Sequence, residues 1–585
     1  MPGSQVQNSV IGGALRTAIQ QHVWETKYRY RNGGHGDRTI EDSWRRIASA
    51  LSAVERRDRD AWEQRFYGIL REFKFLPGGR IQAGAGTARK VTLCNCFVMG
   101  TIEDSMEGIF RALREGAMTM QQGGGVGYDF STLRPRGAKA SGVGAIASGP
   151  VSFMGVWDAM CETILSTGAR RGAMIGTLRC DHPDVEEFIT AKGRPGALRH
   201  FNLSVLITDA FMAAMRSDAE WPLVFPDTTH AGGRVYRRVR ARELWEKILR
   251  ANYDHAEPGL LFVDRINRLN NLWYCERISA TNPCGEIPLP PYGACDLGSL
   301  NLTQFVRDPF TPQARLDESG LMATAEVATR FLDDAIDASR FPLPKQERSA
   351  HSSRRIGLGI TGLGDALLML GLHYASEAAR SFAANVMQCV CLTAYRTSVA
   401  LAREKGAFPA LEPEKYLEGQ FVAALPHELR VAIRNDGIRN SHLVAIAPAG
   451  TISLLAGNIS SGLEPLLAAN VARKLLNQDG TTTSFELEDY AIGRWRERMH
   501  PTDALPPAFV CADEIAPFDQ IAMQAALQSY VDNSISKTIT VPEGFSFAAF
   551  RGVYDAAYDM GLKGCTTFRP NATTGAVVTA LEEPD

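Results

Sequence analysis

The 585-residue sequence has no run of eighteen apolar residues, and it does not begin with the basic stretch and apolar core of a secretory signal. A helix that crosses a membrane needs about 20 mostly apolar residues, and an exported chain needs a leader of the signal type. These two absences predict a cytoplasmic protein without a membrane-spanning segment.

An excess of charge of one sign is also missing. The chain has 63 Lys and Arg against 65 Asp and Glu, which gives a formal net charge of -2. Domains that hold nucleic acid polymers usually carry a strongly basic face. The overall charge therefore gives no reason to expect a nucleic acid polymer as partner, although a local phosphate site remains compatible with it.

The cysteines do not follow the spacing of a zinc site or a disulfide framework. There are eleven, an odd number, in a chain without a secretory signal. The C-x-C pairs Cys94/Cys96 and Cys389/Cys391 have no second pair and no histidine at zinc-site spacing. We therefore expect reduced thiols, no metal site, and at most a catalytic or transient redox pair.

Length and pattern together predict the architecture. A chain this long exceeds the usual size of one hydrophobic core, and 45% of its residues are hydrophobic. Residues 41–75 carry apolar positions at helical spacing among many charges. Further along, short β-branched runs alternate with helical stretches, which is typical of an α/β fold with a largely parallel sheet. No internal repeat or long linker divides the region from about 91 to 568.

One glycine pattern resembles a dinucleotide-binding fingerprint. Gly357, Gly359 and Gly362 satisfy G-x-G-x-x-G. The preceding HSSRR is a poor strand, and no acid stands at a strand end about twenty residues beyond. Close packing of a turn is therefore the better interpretation.

The most informative stretch is TNPCGEIPLPPYGACDLGSLNL, from Thr281 to Leu302. It places a thiol, an amide and a carboxylate within five residues, at Asn282, Cys284 and Glu286, and a second thiol at Cys295. A carboxylate can act as a general base and an amide can bind a hydroxyl or carbonyl group. For an isolated C-G-E, a small buried cysteine in a Pro-Gly turn would be the simpler interpretation. This loop is long enough to project into a barrel, and long loops commonly carry function.

That stretch resembles the finger loop of ribonucleotide reductase large subunits, and other segments similar to that family follow in the expected order. They are CNCFVMG with EDSMEGI, QQGGGVGYDFSTLRPRGA, GARRGAMIGTLRCDHPDVEEFI, FNLSV, RRIGLGITGLGDAL, APAGTISLLAGNISSGLEP, and VDNSISKTITVPEGF followed by GLKGCTTFRP. The resemblance covers about residues 75–570. It implies an α/β fold built on a ten-stranded α/β barrel with a central finger loop. It further implies a helical region at 1–90, a catalytic barrel at 91–570 with effector-site helices and loops, and a short tail at 571–585.

The resemblance also implies a role for each reactive residue. Cys284 becomes the thiyl radical that takes the 3′-hydrogen of the ribose, Glu286 deprotonates the 3′-hydroxyl, and Asn282 binds the ribose. Cys96 and Cys295 match the pair that supplies two electrons and ends as a disulfide. Cys94 is the competitor for Cys96, and we favour Cys96 because it directly precedes the Phe-Val of the family pattern.

Nucleotide-binding residues are carried over in the same way. Asp104 and Ser105 match residues that hold a deoxynucleotide effector, with GARRGAM as the loop that links effector and substrate sites; a solvated helix start is the alternative for Asp104. The family more often has Thr at the position of Ala449. The substrate-binding candidates are Asn95, Gly125, Pro283, Gly285, Pro448, Ala449, Gly450, Thr451 and Ile452, with the main chain at 147–149 as a weaker addition.

The radical source is inferred from which family features are missing. Family members that receive a radical from a metal-containing partner have two tyrosines where this chain has Thr566 and Thr567. The glycyl-radical branch has R-x-x-G-Y, which the tail lacks, and no cobalt-ligating D-x-H-x-x-G occurs. The resemblance therefore implies adenosylcobalamin as cofactor and ribonucleotides, expected as diphosphates, as substrates. The alternatives are a subunit with an unusual radical relay and a regulatory relative that has lost catalysis.

The expected partners follow from two further differences between this sequence and the family pattern. The sequence before the helical region has no recognisable ATP cone, and the tail has no cysteine pair; Cys565 is single. We therefore expect slow turnover with thioredoxin alone, faster turnover with a small thiol, and a separate cysteine-bearing shuttle polypeptide in the cell. A homodimer is also expected from the family.

Overall fold

A computed structural model describes residues 5–7, 14–32, 36–139, 146–166, 170–194, 196–227, 230–476, 481–498, 504–570 and 578–580. Most of the predicted tail at 571–585 therefore lies outside the described residues. Within the described ranges, no helix combines the length and the apolar character needed to cross a membrane.

The N-terminal region is helical. Its helices are Ala18–Val23, Ile40–Ser52 and Arg59–Leu70, with a π-helical turn at Trp24–Tyr28. Helix Ile40–Ser52 begins at Thr39, whose side chain accepts the Asp42 N–H while the Asp42 carboxylate accepts the Thr39 N–H. This reciprocal cap satisfies two backbone donors that would otherwise have no partner.

A ten-stranded sheet forms the centre of the molecule. Its strands are β1 (Phe75–Pro77), β2 (Cys96–Val98), β3 (Gly125–Asp129), β4 (Met174–Arg179), β5 (Phe201–Ile207), β6 (Gly259–Phe262), β7 (Ala294–Asn301), β8 (Ile356–Thr361), β9 (Thr538–Thr540) and β10 (Gly564–Phe568). The mixture of strands and helices confirms the expected α/β class.

The sheet has two parallel halves that run in opposite directions. Strands β2, β3, β4, β5 and β6 are mutually parallel. Strands β7 and β8 are parallel to each other, as are β9 and β10. The halves meet where β7 pairs antiparallel with both β1 and β2 and where β10 pairs antiparallel with β6. The expected largely parallel arrangement is thus correct within each half but not across the sheet.

A segment at residues 442–446 bridges the two ends of this sheet. Val444 pairs with Leu358 of β8, and Ile446 pairs with Ile535, just before β9. Gly359 permits the close approach, because a Cβ there would lie 2.2 Å from the Ala445 carbonyl oxygen. The G-x-G-x-x-G glycines therefore serve backbone packing in this structure.

Helices and smaller sheets surround the central sheet. The remaining α-helices are Gly79–Gly84, Met106–Gln121, Pro150–Thr163, Val185–Ile189, Asp209–Arg216, Ala241–His255, Val263–Arg268, Glu318–Ala338, Pro344–Ser353, Leu363–Met369, Glu377–Lys405, Pro413–Glu418, Gln420–Ala423, His427–Asp436, Gly450–Leu455, Tyr490–Arg496, Pro517–Gln528 and Phe547–Asp559. Strands Glu220–Asp227 and His230–Arg240 form a hairpin, and a four-stranded sheet contains Gln5–Gln7, Asn470–Leu476, Thr482–Glu488 and Val578–Ala580.

A buried ion network fastens the helical region to the rest of the chain. Glu55 accepts hydrogen bonds from Arg330 and from Lys405. Burial alone would raise the pKa of Glu55, but its bonds to Arg330, Asp334 and Lys405 hold that pKa below its usual value. A buried charge without a partner is costly, so this pairing fixes helix Glu318–Ala338 against the N-terminal helices.

The finger loop is a short β-hairpin that packs against strands of the central sheet. Ala280–Thr281 pairs with Pro288–Leu289, which leaves residues 282–287 at the tip. Gly127 of β3 allows the hairpin to approach, since a Cβ there would lie 1.8 Å from the Thr281 carbonyl oxygen. The opposite half of the sheet holds the tip as well, because the Ser534 N–H donates to the Glu286 carbonyl oxygen at 2.9 Å.

Candidate active site

The finger tip faces a cavity of about 330 Å³. Its walls come from the tip, the start of β2, the glycine-rich turn at 123–125, and residues 447–452. The predicted residues that line it are Asn95, Cys96, Gly125, Asn282, Pro283, Cys284, Glu286, Pro448, Gly450, Thr451 and Ile452. Gly285, Cys295 and Ala449 are next to lining residues but do not line it themselves, and Asp104 and Ser105 are not part of it.

Two other features have weaker claims to chemistry. A larger groove of about 550 Å³, lined in part by Lys247 and Arg250, has no thiol in its wall. Cys511, Asp513 and Glu514 place possible metal-ligating atoms within 4.8 Å of one another. Asp513 and Glu514 are exposed, and exposed acidic groups commonly lie together without binding a metal. The cavity at the finger tip combines thiols with a carboxylate, so it is the candidate active site.

A tight turn sets the shape of the finger tip. Gly285 has φ of +87°, a left-handed conformation that favours glycine. Its N–H donates to the Asn282 carbonyl oxygen at 3.0 Å, and the Asn282 N–H donates to the Ile287 carbonyl oxygen at 3.2 Å. No atom lies within 4 Å of the Cβ position at Gly285, so open space adjoins the neighbouring Cys284.

The Asn282 side chain is buried and is bonded within the protein. Its amide nitrogen donates to the Cys96 sulfur at 3.1 Å, and its amide oxygen accepts the Ile287 N–H at 2.9 Å. The side chain therefore orients the Cys96 thiol and stabilises the turn in this structure. Its predicted bond to a ribose stays a prediction.

Glu286 is a carboxyl group with one unused oxygen. The residue is 2% exposed, and its Oε1 accepts the Cys96 S–H at a sulfur–oxygen distance of 3.7 Å. Its Oε2 is buried and has no hydrogen-bond partner in the protein. Burial raises the pKa of Glu286 to about 7. A buried polar atom without a partner at a cavity wall is suited to accept a proton from a bound ligand.

This raised pKa predicts a pH dependence. Glu286 can act as a base only when it is ionised, so kcat/KM should rise with pH through about 7 and level off above it. Glu286→Gln should remove this dependence and lower kcat/KM by about 100-fold or more, because general-base catalysis typically contributes that much. The measurement is the pH profile of kcat/KM for both proteins. An unchanged profile in the variant would exclude Glu286 as the titrating base.

The Cys284 thiol lies on the cavity wall, where it is exposed to the cavity and surrounded by protein. Burial, with a smaller effect of the Glu286 carboxylate, raises the pKa of this thiol well above its usual value. The sulfur therefore keeps its hydrogen at neutral pH. A protonated thiol is the form that can give up a hydrogen atom, whereas a nucleophilic cysteine would need a lowered pKa.

Cys96 and Cys295 lie directly opposite each other on neighbouring strands. They are register partners in the antiparallel pairing of β2 with β7. Residues opposite each other in such a pair have Cα atoms about 4.5 to 5.5 Å apart, within the range that a disulfide spans. Cys94 lies outside β2 and its sulfur is 4.0 Å from the Ser339 hydroxyl. The register therefore favours Cys96 over Cys94 as the partner of Cys295.

Another part of the cavity wall is formed by the start of helix Gly450–Leu455. The Thr451 hydroxyl lies 2.6 Å from the Tyr28 hydroxyl, which ties this helix to the N-terminal region. Ala449 is buried, and its N–H donates to the Ser461 hydroxyl at 2.7 Å.

The predicted effector residues have structural roles in this structure. Asp104 is paired with Arg134, with Nε and Oδ2 2.7 Å apart. The Ser105 hydroxyl caps helix Met106–Gln121 by accepting the Gly108 N–H at 3.0 Å. In GARRGAM, residues 168–169 lie outside the described residues. The effector role of these positions stays a prediction.

Three residues at this site were not predicted from the sequence. Arg80 lines the cavity, the Asn202 amide donates to the Pro283 carbonyl oxygen at 2.8 Å, and Tyr28 contacts Thr451. Each stands in a separate segment, and although Asn202 belongs to the family-like FNLSV, no role was assigned to it there. A basic residue after Pro-Gly-Gly at the start of a short helix was the only local signal for Arg80.

Comparison with known proteins gives a family for both parts of the chain. Residues 14–90 match the ribonucleotide reductase all-alpha domain, and residues 94–568 match the ribonucleotide reductase barrel domain. The second match supports the barrel architecture, and the ten-stranded sheet is consistent with it.

Several relatives align over most of the chain. A vitamin B12-dependent ribonucleoside-diphosphate reductase of Mycobacterium tuberculosis (strain CDC 1551 / Oshkosh) is 38% identical over 560 residues, which covers 92% of this chain and 77% of the relative. The protein of the same description from Thermoplasma acidophilum is 36% identical, covering 88% and 66%. A ribonucleoside-diphosphate reductase subunit alpha of Chlamydia pneumoniae is 26% identical, covering 93% and 58%. This chain belongs to the ribonucleotide reductase large-subunit family.

Proposed function

We propose that this chain reduces ribonucleoside diphosphates to 2′-deoxyribonucleoside diphosphates, with adenosylcobalamin as the radical source. The observation that carries the proposal is the meeting of three kinds of group around one cavity. Cys284 offers a protonated thiol, Glu286 offers a carboxyl oxygen without a partner, and Cys96 lies opposite Cys295 as a candidate dithiol.

The geometry supports the following task for each group. Cys284, once its hydrogen has been removed, takes the 3′-hydrogen of the ribose and returns it at the end of the reaction, while the free oxygen of Glu286 accepts the proton of the 3′-hydroxyl and later gives it back. The 2′-hydroxyl leaves as water. Cys96 and Cys295 supply two hydrogen equivalents and end as one disulfide, so that a C–OH bond and two S–H bonds become a C–H bond, an S–S bond and water.

The cofactor assignment rests on the relatives and on the surroundings of Cys284. Relatives at 36–38% identity are named vitamin B12-dependent, whereas the subunit alpha relative is at 26%. Bound adenosylcobalamin supplies a carbon-centred radical by homolysis of its cobalt–carbon bond. Open space beside Gly285 leaves the thiol accessible to such a bulky group.

A row of polar side chains on the strands near the finger tip fits the adenosyl part of adenosylcobalamin. A Cβ at Gly259 would lie 3.1 Å from the Thr566 hydroxyl oxygen and 3.3 Å from the Ser204 hydroxyl oxygen, so these two hydroxyl groups flank the glycine. Asn202, two residues before Ser204 on β5, bonds the finger tip at Pro283. We infer that Asn202, Ser204 and Thr566 would hold the adenosyl part.

An anaerobic assay of the purified chain tests the proposal. With a ribonucleoside diphosphate and dithiothreitol, we expect product only when adenosylcobalamin is present, and no requirement for a second subunit. Thr566 and Thr567 have no redox-active side chain, so a radical from a partner subunit lacks its last carriers. Activity that needs a metal-containing partner and ignores cobalamin would contradict the proposal. Nucleotide binding without turnover under all conditions would favour a regulatory role.

The partners remain part of the proposal. Helix Met106–Gln121 exposes Met106 and Phe110, one turn apart, and Val156 of helix Pro150–Thr163 is also exposed. Exposed apolar side chains on neighbouring helices support the expected homodimer. A deoxynucleotide effector, thioredoxin or a cysteine-bearing shuttle as reductant, and a cytoplasmic location stay predictions.

A further inference from the structure

The candidate active site has a charge to balance. A nucleoside diphosphate carries about three negative charges, and Glu286 contributes a further acidic group to the same cavity. Anions that leave water without a cationic partner are strongly disfavoured. Among the described residues that line the cavity, Arg80 is the only one with a basic side chain.

The backbone around Arg80 is shaped to admit its side chain. Arg80 is the second residue of helix Gly79–Gly84 and is partly buried. Its guanidinium group lies against Gly123, where a Cβ would be 2.7 Å from the central guanidinium carbon. Gly123 has φ of +104°, so both its conformation and its neighbour favour glycine. The guanidinium thus occupies a space that any other residue at 123 would fill.

Arg80 and Thr451 line the same cavity, and the helices that carry them both adjoin one turn of the N-terminal region. Helix Gly79–Gly84 contacts the turn Trp24–Tyr28. The Tyr28 hydroxyl at the end of that turn lies 2.6 Å from the Thr451 hydroxyl. One turn of the N-terminal region therefore adjoins both the helix that carries Arg80 and the helix that carries Thr451.

We propose that Arg80 binds the phosphate groups of the substrate and sets the preference for a nucleoside diphosphate over ligands with fewer phosphates. This inference rests on the proposed function and adds a specificity-determining residue to it. A guanidinium group presents two parallel N–H donors to phosphate oxygens, and such charged hydrogen bonds are stronger than neutral ones. With the ribose at Cys284 and Glu286, the phosphates would extend towards Thr451 and Arg80.

The test compares ligands that differ only in their phosphates. The dissociation constants of a ribonucleoside diphosphate and of the same nucleoside are measured by calorimetry for wild type, Arg80→Gln and Arg80→Lys. We expect Arg80→Gln to weaken diphosphate binding by about 10- to 100-fold, as for loss of a charged hydrogen bond, and to leave nucleoside binding unchanged. Arg80→Lys keeps the positive charge but loses the pair of parallel N–H donors, so it should weaken diphosphate binding less than Arg80→Gln does. Arg71→Gln, at a residue whose side chain is 64% exposed, is the matched control and should bind like wild type.

Kinetics separate binding from structural damage. Arg80→Gln should raise KM for the diphosphate while kcat at saturating substrate stays within about 3-fold, because the phosphate contact is made before and during the reaction. Equal losses for nucleoside and diphosphate would show a merely structural role and overturn the inference, as would unchanged diphosphate binding. A wild-type protein that neither binds nor reduces a ribonucleoside diphosphate would overturn the proposed function and this inference together.

Discussion

Cys284→Ser is expected to abolish ribonucleotide reduction, with a loss of more than about 1,000-fold, or about 4 kcal/mol of transition-state stabilisation. The hydroxyl O–H bond is considerably stronger than the thiol S–H bond, so serine cannot exchange a hydrogen atom with a ribose carbon. Serine and cysteine differ by one atom, and the side chain lies at an open cavity wall. Nucleotide binding should therefore stay within about 3-fold of wild type, well below the tenfold that 1.4 kcal/mol represents.

A second cysteine on the same chain segment provides the control. Cys275 is exposed and does not line the cavity. Cys275→Ser should therefore turn over at the wild-type rate under the same anaerobic conditions with adenosylcobalamin. If Cys284→Ser kept more than a few per cent of wild-type activity, the thiol could not be the group that removes the ribose hydrogen.

Local pattern was enough to predict the class of fold, and it was not enough to predict how the strands pair. Alternating β-branched runs and helical stretches indicate strands and helices, because each signal is contained in a window of about ten residues. The opposite direction of the two half-sheets depends on contacts such as Ala294 with Phe97, far apart in the sequence. Close approaches between distant segments also cannot be predicted from local pattern. At Gly127, only the folded structure shows that the Thr281 carbonyl oxygen lies where a Cβ would be.

The candidate site also has a part that local sequence predicts and a part that depends on strand pairing. Asn282, Cys284 and Glu286 are neighbours in the chain, so one motif identified them together. The choice between Cys94 and Cys96 needed the strand register, which places Cys96 opposite Cys295. From the sequence alone, the preference for Cys96 over Cys94 rested only on resemblance to the family pattern.

The residues that sequence reasoning missed come from single positions in distant segments. Arg80 and Asn202 reach the finger tip or its cavity only because strands from different parts of the chain meet there. Neither belongs to a cluster of reactive residues, and an isolated arginine or asparagine is usually a surface residue. Sequence motifs therefore predicted the candidate reacting groups, whereas the side chains that surround them could be found only from the fold.

The paired cysteines predict the product of one turnover in the absence of reductant. Each reduction converts two thiols to one disulfide, so pre-reduced protein should make about one deoxynucleotide per chain and lose two titratable thiols. Burial raises the pKa of both Cys96 and Cys295 well above the usual value, so both begin as protonated thiols with hydrogen to give. Cys96→Ser and Cys295→Ser should each lower product formation by more than about 1,000-fold, equivalent to about 4 kcal/mol, because neither variant can complete the disulfide.

The measurement is an anaerobic single-turnover reaction with adenosylcobalamin, followed by alkylation, digestion and mass spectrometry. A cross-linked peptide pair containing Cys96 and Cys295 should appear in step with the deoxynucleotide. Cys94→Ser is the matched control, since Cys94 is two residues from Cys96 but lies outside β2; it should form the same cross-link with the same yield. A cross-link between Cys94 and Cys295 would show that the strand register does not select the redox partner. Full product without loss of thiols would require a different source of electrons, because two strand-paired thiols that stay reduced cannot have supplied them.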